Sequence, residues 1–319
     1  IVTDKVWHEL AFGAESLGMS TPEIRAKVSE MASFFGIQTW FHKNVRELSG
    51  GQKQLLNLAS VMVTSPEVLI LDEPTGQLDP IAAQEFLNML EKINRELGTT
   101  VILAEHRCED TFPISDRVIV MDSGKIIADS TPENIGKILK NINHDMYSAM
   151  PTPIKVSLAV NFNGKCPITI REGRSMLEKF AKSNDLFTDF PIKSQHSSTE
   201  TVLEMKDIWF RYDKNSPDII KGLNFKAKCG ELFAIVGGNG TGKTTMLSLL
   251  SGINTPYRGK IKINGKNITD IKNYPAGTVA MLPQNPQSIF VKNTVYADLE
   301  EMLSGSLSKD ERAQKIQEV

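Results

Sequence analysis

The sequence predicts an α/β fold, and three observations carry that prediction. The glycine-rich run Gly237-Gly238-Asn239-Gly240-Thr241-Gly242-Lys243-Thr244 lies between an apolar segment, 232–236, and an amphipathic one, 245–250. Four apolar residues, 68–71, end in the paired carboxylates Asp72-Glu73. Asn264-Gly265 separates two strand-like runs, 260–263 and 266–268. Asn-Gly is a strong hairpin signal because both central residues of a type I′ turn need positive φ.

Taken in order, residues 1–148 alternate helix-like and strand-like segments. Ser49-Gly50-Gly51-Gln52 opens a helix that runs through Leu55, Leu56 and Ala59. The 68–71 run is predicted to be a buried parallel strand with its acids at the carboxyl end, where ligands bind in α/β sheets. A second apolar strand, 100–103, is followed by Glu105-His106-Arg107. Segments 117–121 and 125–129 form a hairpin through Ser123-Gly124, and Thr131-Pro132-Glu133 then starts a helix. Residues 149–200 hold Pro151, Pro153, Pro167 and Pro191 and a polar run over 193–200, the pattern of an extension and linker. Residues 201–319 begin a fresh strand-rich unit: strands 202–212 and 222–228, a turn at Cys229-Gly230, strand 232–236, the glycine loop, a helix and the hairpin. A length of 319 residues favours two domains.

The two ends of the chain resemble each other. Val2, Val6, Trp7, Glu9 and Leu10 align with Val291, Val295, Tyr296, Asp298 and Leu299 at an offset of 289. Glu23, Lys27, Val28 and Glu30 align with Glu311, Lys315, Ile316 and Glu318 after a one-residue gap.

Charge is nearly balanced, 36 basic against 38 acidic residues, so no field favours nucleic acid or an anionic membrane surface. Cys108, Cys166 and Cys229 are scattered and odd in number, which reads as free thiols in a reducing compartment. No run approaches the roughly 18 apolar residues needed to span a bilayer. The chain opens at Ile1 inside an amphipathic pattern, with no signal peptide, as an internal fragment would.

The glycine run fits G-x-x-x-x-G-K-[ST] in full, in a strand–loop–helix setting. Glycines let successive N–H groups of 237–242 face phosphate oxygens, and the helix N-terminus adds partial positive charge. Lys243 is placed to reach the β- and γ-phosphates, and the Thr244 hydroxyl to sit on Mg²⁺. The loop identifies a nucleoside triphosphate site and is silent on what the energy does. At the acidic strand, Asp72 suits the Mg²⁺ shell and Glu73 suits polarisation of an attacking water.

Leu48-Ser49-Gly50-Gly51-Gln52 matches the LSGGQ signature of ABC ATPases at every position. From here the chain resembles an ABC cassette. The resemblance implies a P-loop NTPase fold with a mixed central sheet, an antiparallel β subdomain and a helical subdomain. It implies ATP and Mg²⁺ as cofactors. It assigns Ser49, Gly50, Gly51, Gln52 and Asp79 to nucleotide contacts across a cassette pair. It makes Glu73 and His106 catalytic. It extends the phosphate loop's contacts to Thr245, makes Gln284 the Q-loop residue on Mg²⁺, and makes Tyr212 the aromatic that stacks on adenine.

An ordinary cassette places the phosphate loop before the acidic strand, yet here Asp72 precedes Lys243 by 171 residues. The two motifs then belong to different cassettes. Residues 1–148 are the back of a first cassette, with its signature, acidic strand and histidine. Residues 201–319 are the front of a second, with its adenine-stacking aromatic, phosphate loop and Q-loop. In head-to-tail pairing, Lys243 and Gln284 face Ser49 and Gly51 in one composite site, while Glu73 and His106 belong to the other; the 319-residue chain by itself is expected to hydrolyse ATP negligibly. A permuted single cassette, with every motif in one site, stays open beside this arrangement. The segments LSGGQKQ (48–54), GGNGTGKTT (237–245), Glu105-His106-Arg107 and PITIREGR (167–174) are similar to the duplicated ATPases of energy-coupling-factor importers of vitamins, their precursors or metal ions. That likeness implies a transmembrane coupling protein and a substrate-binding membrane subunit as partners, no nucleic acid, and a place at the cytoplasmic face of the cell membrane. The competing classes are a soluble tandem ATPase acting on ribosomes or nucleic acid, and a nucleotide switch without turnover.

Overall fold

The computed structural model describes residues 1–162, 164–183, 200–267, 278–285, 287, 289–303 and 309–317. The chain divides into two compact units, Ile1–Ile192 and Lys193–Val319.

Unit 1 opens with helices α1 (Val6–Ser16), α2 (Thr21–Phe34) and α3 (Gly50–Met62). At α2 both the N–H and the hydroxyl of Ser20 donate to Oε2 of Glu23, at 2.9 and 2.7 Å, a carboxylate closing the first turn. Strand β1 (Val68–Asp72) follows, then α4 (Pro80–Lys92), which runs through a π-helical turn to Gly98 at φ +71°, and β2 (Thr100–Ala104). Leu10, Ile37, Leu56, Met62, Phe86, Leu87 and Ile93 are fully buried where these elements meet. Truncating one such side chain to alanine costs about 2–5 kcal/mol.

β1 and β2 pair in parallel, from Val68 opposite Thr100 to Asp72 opposite Ala104. The expected strand is present at the expected place, but it is buried on one face only. Leu69 is buried, while Ile70 is 72% and Ile102 55% exposed. Parallel strands carry apolar residues on both faces because both are normally covered. Within unit 1 only one face of this pair meets the helical core.

The rest of unit 1 holds α5 (Cys108–Thr111), strands β3 (Val118–Asp122) and β4 (Lys125–Ser130), and helices α6 (Pro132–Asn141), α7 (Thr152–Ala159) and α8 (Ile170–Ser183). The β3–β4 hairpin turns at Ser123 and Gly124, both at positive φ, as the sequence predicts. Thr131 precedes α6 in extended conformation with Pro132 in the first turn. Ile135, Leu139, Met150, Ile154 and Cys166 form a second core, so much of the proline-bearing stretch folds onto this unit. The polar run that begins at Lys193 lies outside the described residues up to 199.

Unit 2 contains a four-stranded antiparallel sheet in the order β6-β5-β7-β8, built from β5 (Thr201–Phe210), β6 (Ile220–Lys228), β7 (Arg258–Ile263) and β8 (Lys266–Asn267). Asn264 and Gly265 take φ +49° and +77°, the type I′ signs expected of Asn-Gly. Ile268, predicted to extend the hairpin, lies outside the described residues. Helix α9 (Lys243–Leu250) packs Met246 and Leu249 with Met205, Ile208, Ile261 and Ile263. The predicted strand 232–236 does not form; residues 231–238 carry no regular structure and Leu232 is 100% exposed. A strand exists through its ladder, and no described strand of unit 2 pairs with this segment.

Helices α10 (Val295–Met302) and α11 (Lys309–Gln317) complete the described residues. Here the likeness of the chain ends becomes structural. In unit 1 the Glu9 carboxylate accepts the N–H groups of Val2, at 2.9 Å, and Thr3, at 2.8 Å. In unit 2 Asp298 accepts those of Val291, at 2.9 Å, and Lys292, at 2.8 Å. Donors, acceptor and the first residues of α1 and α10, Val6 and Val295, all keep the offset of 289. Helices α2 and α11 start at Thr21 and Lys309, after the one-residue gap. Glu318 lies outside the described residues. Among the described residues no helix is long and apolar enough to cross a membrane.

Candidate nucleotide site

Glu73 is the first residue after β1. Its φ of +43° is left-handed, which an unbranched non-glycine residue adopts at a cost of about 1–3 kcal/mol. The turn is pinned at both ends: Glu73 N–H donates to Ala104 O at 3.0 Å, and Gly76 N–H to Glu73 O at 3.1 Å. This geometry aims the side chain at His106, whose Nε2 lies 2.7 Å from Glu73 Oε1. A carboxylate only accepts, so Nε2 carries the proton and donates. Both side chains face solvent, at 55% and 81% exposure. An exposed pair adds little stability. The contact therefore fixes orientation, and it joins the two residues expected to be catalytic. Asp72 ends β1 opposite Ala104 and is exposed.

Ser49 is the N-cap of α3. Its Oγ accepts from Gln52 N at 3.2 Å, and Gln52 Oε1 accepts from Ser49 N at 3.0 Å. Gln52 thus caps its own helix in addition to its assigned place at the nucleotide, and the Ser49 hydroxyl proton stays available to an acceptor outside the helix. The two glycines differ. A Cβ on Gly50 would meet nothing within 4 Å, whereas one on Gly51 would come within 2.9 Å of the Ala82 Cβ on α4. Gly51 is small because two helices touch there. Asp79 likewise caps a helix. Its Oδ1 accepts from Ile81 N at 3.1 Å and Ala82 N at 3.0 Å, starting α4. Gln54 Nε2 donates to Pro74 O at 3.2 Å, tying the signature helix to the turn that bears Glu73.

In unit 2 the phosphate loop, 237–242, ends at Gly242, which caps α9 with φ +92°. A Cβ there would press on Ile220 Cδ1 at 3.1 Å and Ile219 Cγ2 at 3.3 Å. Lys243 Nζ donates to Gly237 O at 2.7 Å and Gly238 O at 2.6 Å, and Thr241 Oγ1 donates to Gly238 O at 2.9 Å. The ammonium is held across the loop by the loop's own carbonyls. Thr244 is the less covered of the two threonines; Thr245 is buried and its Oγ1 lies 3.2 Å from Tyr212 Oη. Of the three neighbouring aromatics, Phe210 is core, Trp209 donates to Asp207 Oδ1 at 2.8 Å, and Tyr212 stays exposed beside the helix that follows the loop. Gln284 is exposed in an irregular segment.

The donor chemistry fits a nucleotide: a lysine ammonium, a hydroxyl at the first turn of a helix, and backbone free to approach at Gly240, where a Cβ would meet nothing within 4 Å. Sequence reasoning missed Thr75, Gln54 and Glu105. The last stands between an apolar strand and His106, a placement that marks it for inspection.

A sequence model of the ABC transporter family matches residues 3–76 and 220–319, more than half of the chain. The chain belongs to the ABC transporter family. Its architecture is that of the ABC cassette, α/β with helical and antiparallel β parts. A relative from Bacillus thuringiensis subsp. konkukian, named as an ABC transporter ATP-binding protein, is 40% identical over 94% of this chain and 54% of its own length. YkoD of Bacillus subtilis, named as an HMP/thiamine import ATP-binding protein, is 31% identical over 97% of this chain and 54% of its own. The solved structure of CbiO1 from Clostridium perfringens, described as part of the ABC transporter complex CbiONQ, is 29% identical over 56% of this chain and 62% of that one, with a TM-score of 0.41. The chain spans about half the length of the curated relatives it matches.

Proposed function

We propose that this chain is the middle of a tandem-cassette ATPase that drives an importer of the energy-coupling-factor type, at the cytoplasmic face of the membrane. The observation that carries hydrolysis is the 2.7 Å contact between His106 Nε2 and Glu73 Oε1. In the reaction Glu73 takes up the proton of the attacking water as the bond to phosphorus forms. His106 holds Glu73 in place and offers positive or hydrogen-bonding character toward the γ-phosphate. At the other composite site, Lys243 and the amides of 237–242 neutralise and orient the phosphates, and Tyr212 supports the base. Ser49 and Gly50 present a helix N-terminus to the phosphates of the facing cassette. Thr244 and Gln284 at one site and Asp72 at the other are hard oxygen donors of the kind that would hold Mg²⁺, which when bound would offset phosphate charge.

Two features support the tandem reading. The family match falls in two stretches, the earlier holding the signature and acidic strand and the later the phosphate loop. The carboxylate hooks at Glu9 and Asp298 repeat with their helices at one offset. The B. subtilis relative named for HMP/thiamine import makes vitamin-like cargo the first to assay. A transmembrane coupling protein and a substrate-binding membrane subunit complete the proposed assembly.

In the intact protein, Glu73→Gln should lower ATP turnover about 100-fold or more and accumulate closed, ATP-loaded cassette pairs. Unchanged turnover would sink the assignment. The wild-type protein should co-purify with integral membrane subunits; co-purification with ribosomes or nucleic acid instead would move it to the soluble class.

A further inference from the structure

We propose that Glu105 is a positioning residue for hydrolysis, locking the turn that carries Glu73 to the strand end that carries His106. This rests on the catalytic reading of Glu73 and His106. Three consecutive residues at the end of β2 grip the turn after β1. Ala104 O accepts Glu73 N–H at 3.0 Å, and His106 Nε2 donates to Glu73 Oε1 at 2.7 Å. Between them Glu105 Oε1 accepts both the N–H of Thr75, at 3.0 Å, and its Oγ1, at 2.6 Å. Its Oε2 also takes the N–H of His106 at 3.3 Å.

One carboxylate thus holds a residue two past Glu73 and the amide of His106 itself. Thr75 is fully buried, so its N–H and hydroxyl need an acceptor on the protein. Glu73 sits at φ +43°, a conformation that persists only where its surroundings over-determine it. The Glu73 and His106 side chains are themselves exposed and cannot supply that constraint by packing. Backbone contacts hold the turn at Glu73 and Gly76, and Glu105 supplies the clamp at Thr75. Without it, the carboxylate and the imidazole lose a shared reference.

The test is steady-state ATP hydrolysis and ATP affinity in the intact protein. Glu105→Ala removes all three hydrogen bonds and should lower kcat about 10- to 100-fold, the scale set by sub-ångström to ångström misplacement of catalytic groups. ATP affinity should stay within about twofold, because no loop contact changes. Glu105→Gln keeps an acceptor for Thr75 but loses the one facing His106 N–H, and should restore most of the rate. Thr75→Val, which keeps the backbone bond, should fall between. Amide exchange at Thr75 and His106 should quicken in Glu105→Ala. If that variant does not fold, Glu105→Gln and Thr75→Val carry the comparison. Wild-type kcat in Glu105→Ala overturns the proposal, as does a parallel loss of ATP affinity and kcat. Equal loss in the Gln and Ala variants overturns the hydrogen-bond clamp as its basis. Glu73→Gln is run beside them: if it stays active, the catalytic reading falls and the proposal with it. If it is inactive while Glu105→Ala is not, only the positioning role falls.

Discussion

Gly50 and Gly51 are adjacent in one motif and answer to different forces. The sequence assigns both to close approach of phosphate, and the structure separates them. Gly51 meets Ala82 across two helices, with 2.9 Å between the Ala82 Cβ and the place a Cβ would occupy. Gly51→Ala should therefore destabilise the protein by about 1–3 kcal/mol, as overpacking does. Gly50 points a missing Cβ into open space, so Gly50→Ala should leave stability equal or up to about 1 kcal/mol higher through helix propensity. Chemical denaturation midpoints of the two variants check this; equal destabilisation would show that the helix contact does not govern Gly51. The residues proposed to react stand out in the sequence because the proposed chemistry restricts them to few residue types. The clamp by Glu105 is not, since a glutamate after a strand is commonplace until its hydrogen bonds are seen.

At the scale of elements, the hairpins are legible because Asn264-Gly265 and Ser123-Gly124 encode their turns locally. The strand expected over 232–236 is absent because apolar content reports a tendency to be covered, while a strand needs a neighbour. The hook at Glu9 is invisible in the sequence as a structure, though its residues belong to the repeat. Burial pushes the Glu9 carboxyl up, but the N–H groups of Thr3 and Val2, the Thr3 hydroxyl and the nearby charge of the Ile1 ammonium together push it further down, leaving it below the usual glutamate range. A lowered folded value means the hook's stabilisation is complete above the unfolded value, about 4.3, and is lost as pH falls through the lower folded one. Amide exchange at Val2 and Thr3 should therefore be slow at neutral pH and lose its protection only at a pH below the usual glutamate range. Glu9→Gln should remove that pH dependence of protection, and protection unaffected by acid in the wild type would refute the hook's role.

For the whole molecule, family and fold class are legible because the signature and the phosphate loop each match in full and the acidic strand follows the signature, even though the phosphate loop comes after both. The bareness of the β1–β2 pair is not. Ile70 and Ile102 look like core in the sequence, and the face they form is exposed in unit 1. A pattern of apolar residues records what a strand is built to touch, and burial depends on whether that partner is present in the same unit.

The left-handed backbone at Glu73 sets two kinds of selection against each other. Asparagine suits that conformation better than glutamate does. Glu73→Asn should melt at or above the parent temperature in calorimetry while losing turnover. A breeding scheme that rewards heat tolerance alone would thus favour loss of the acid proposed to activate water, so enrichment has to be scored on phosphate release.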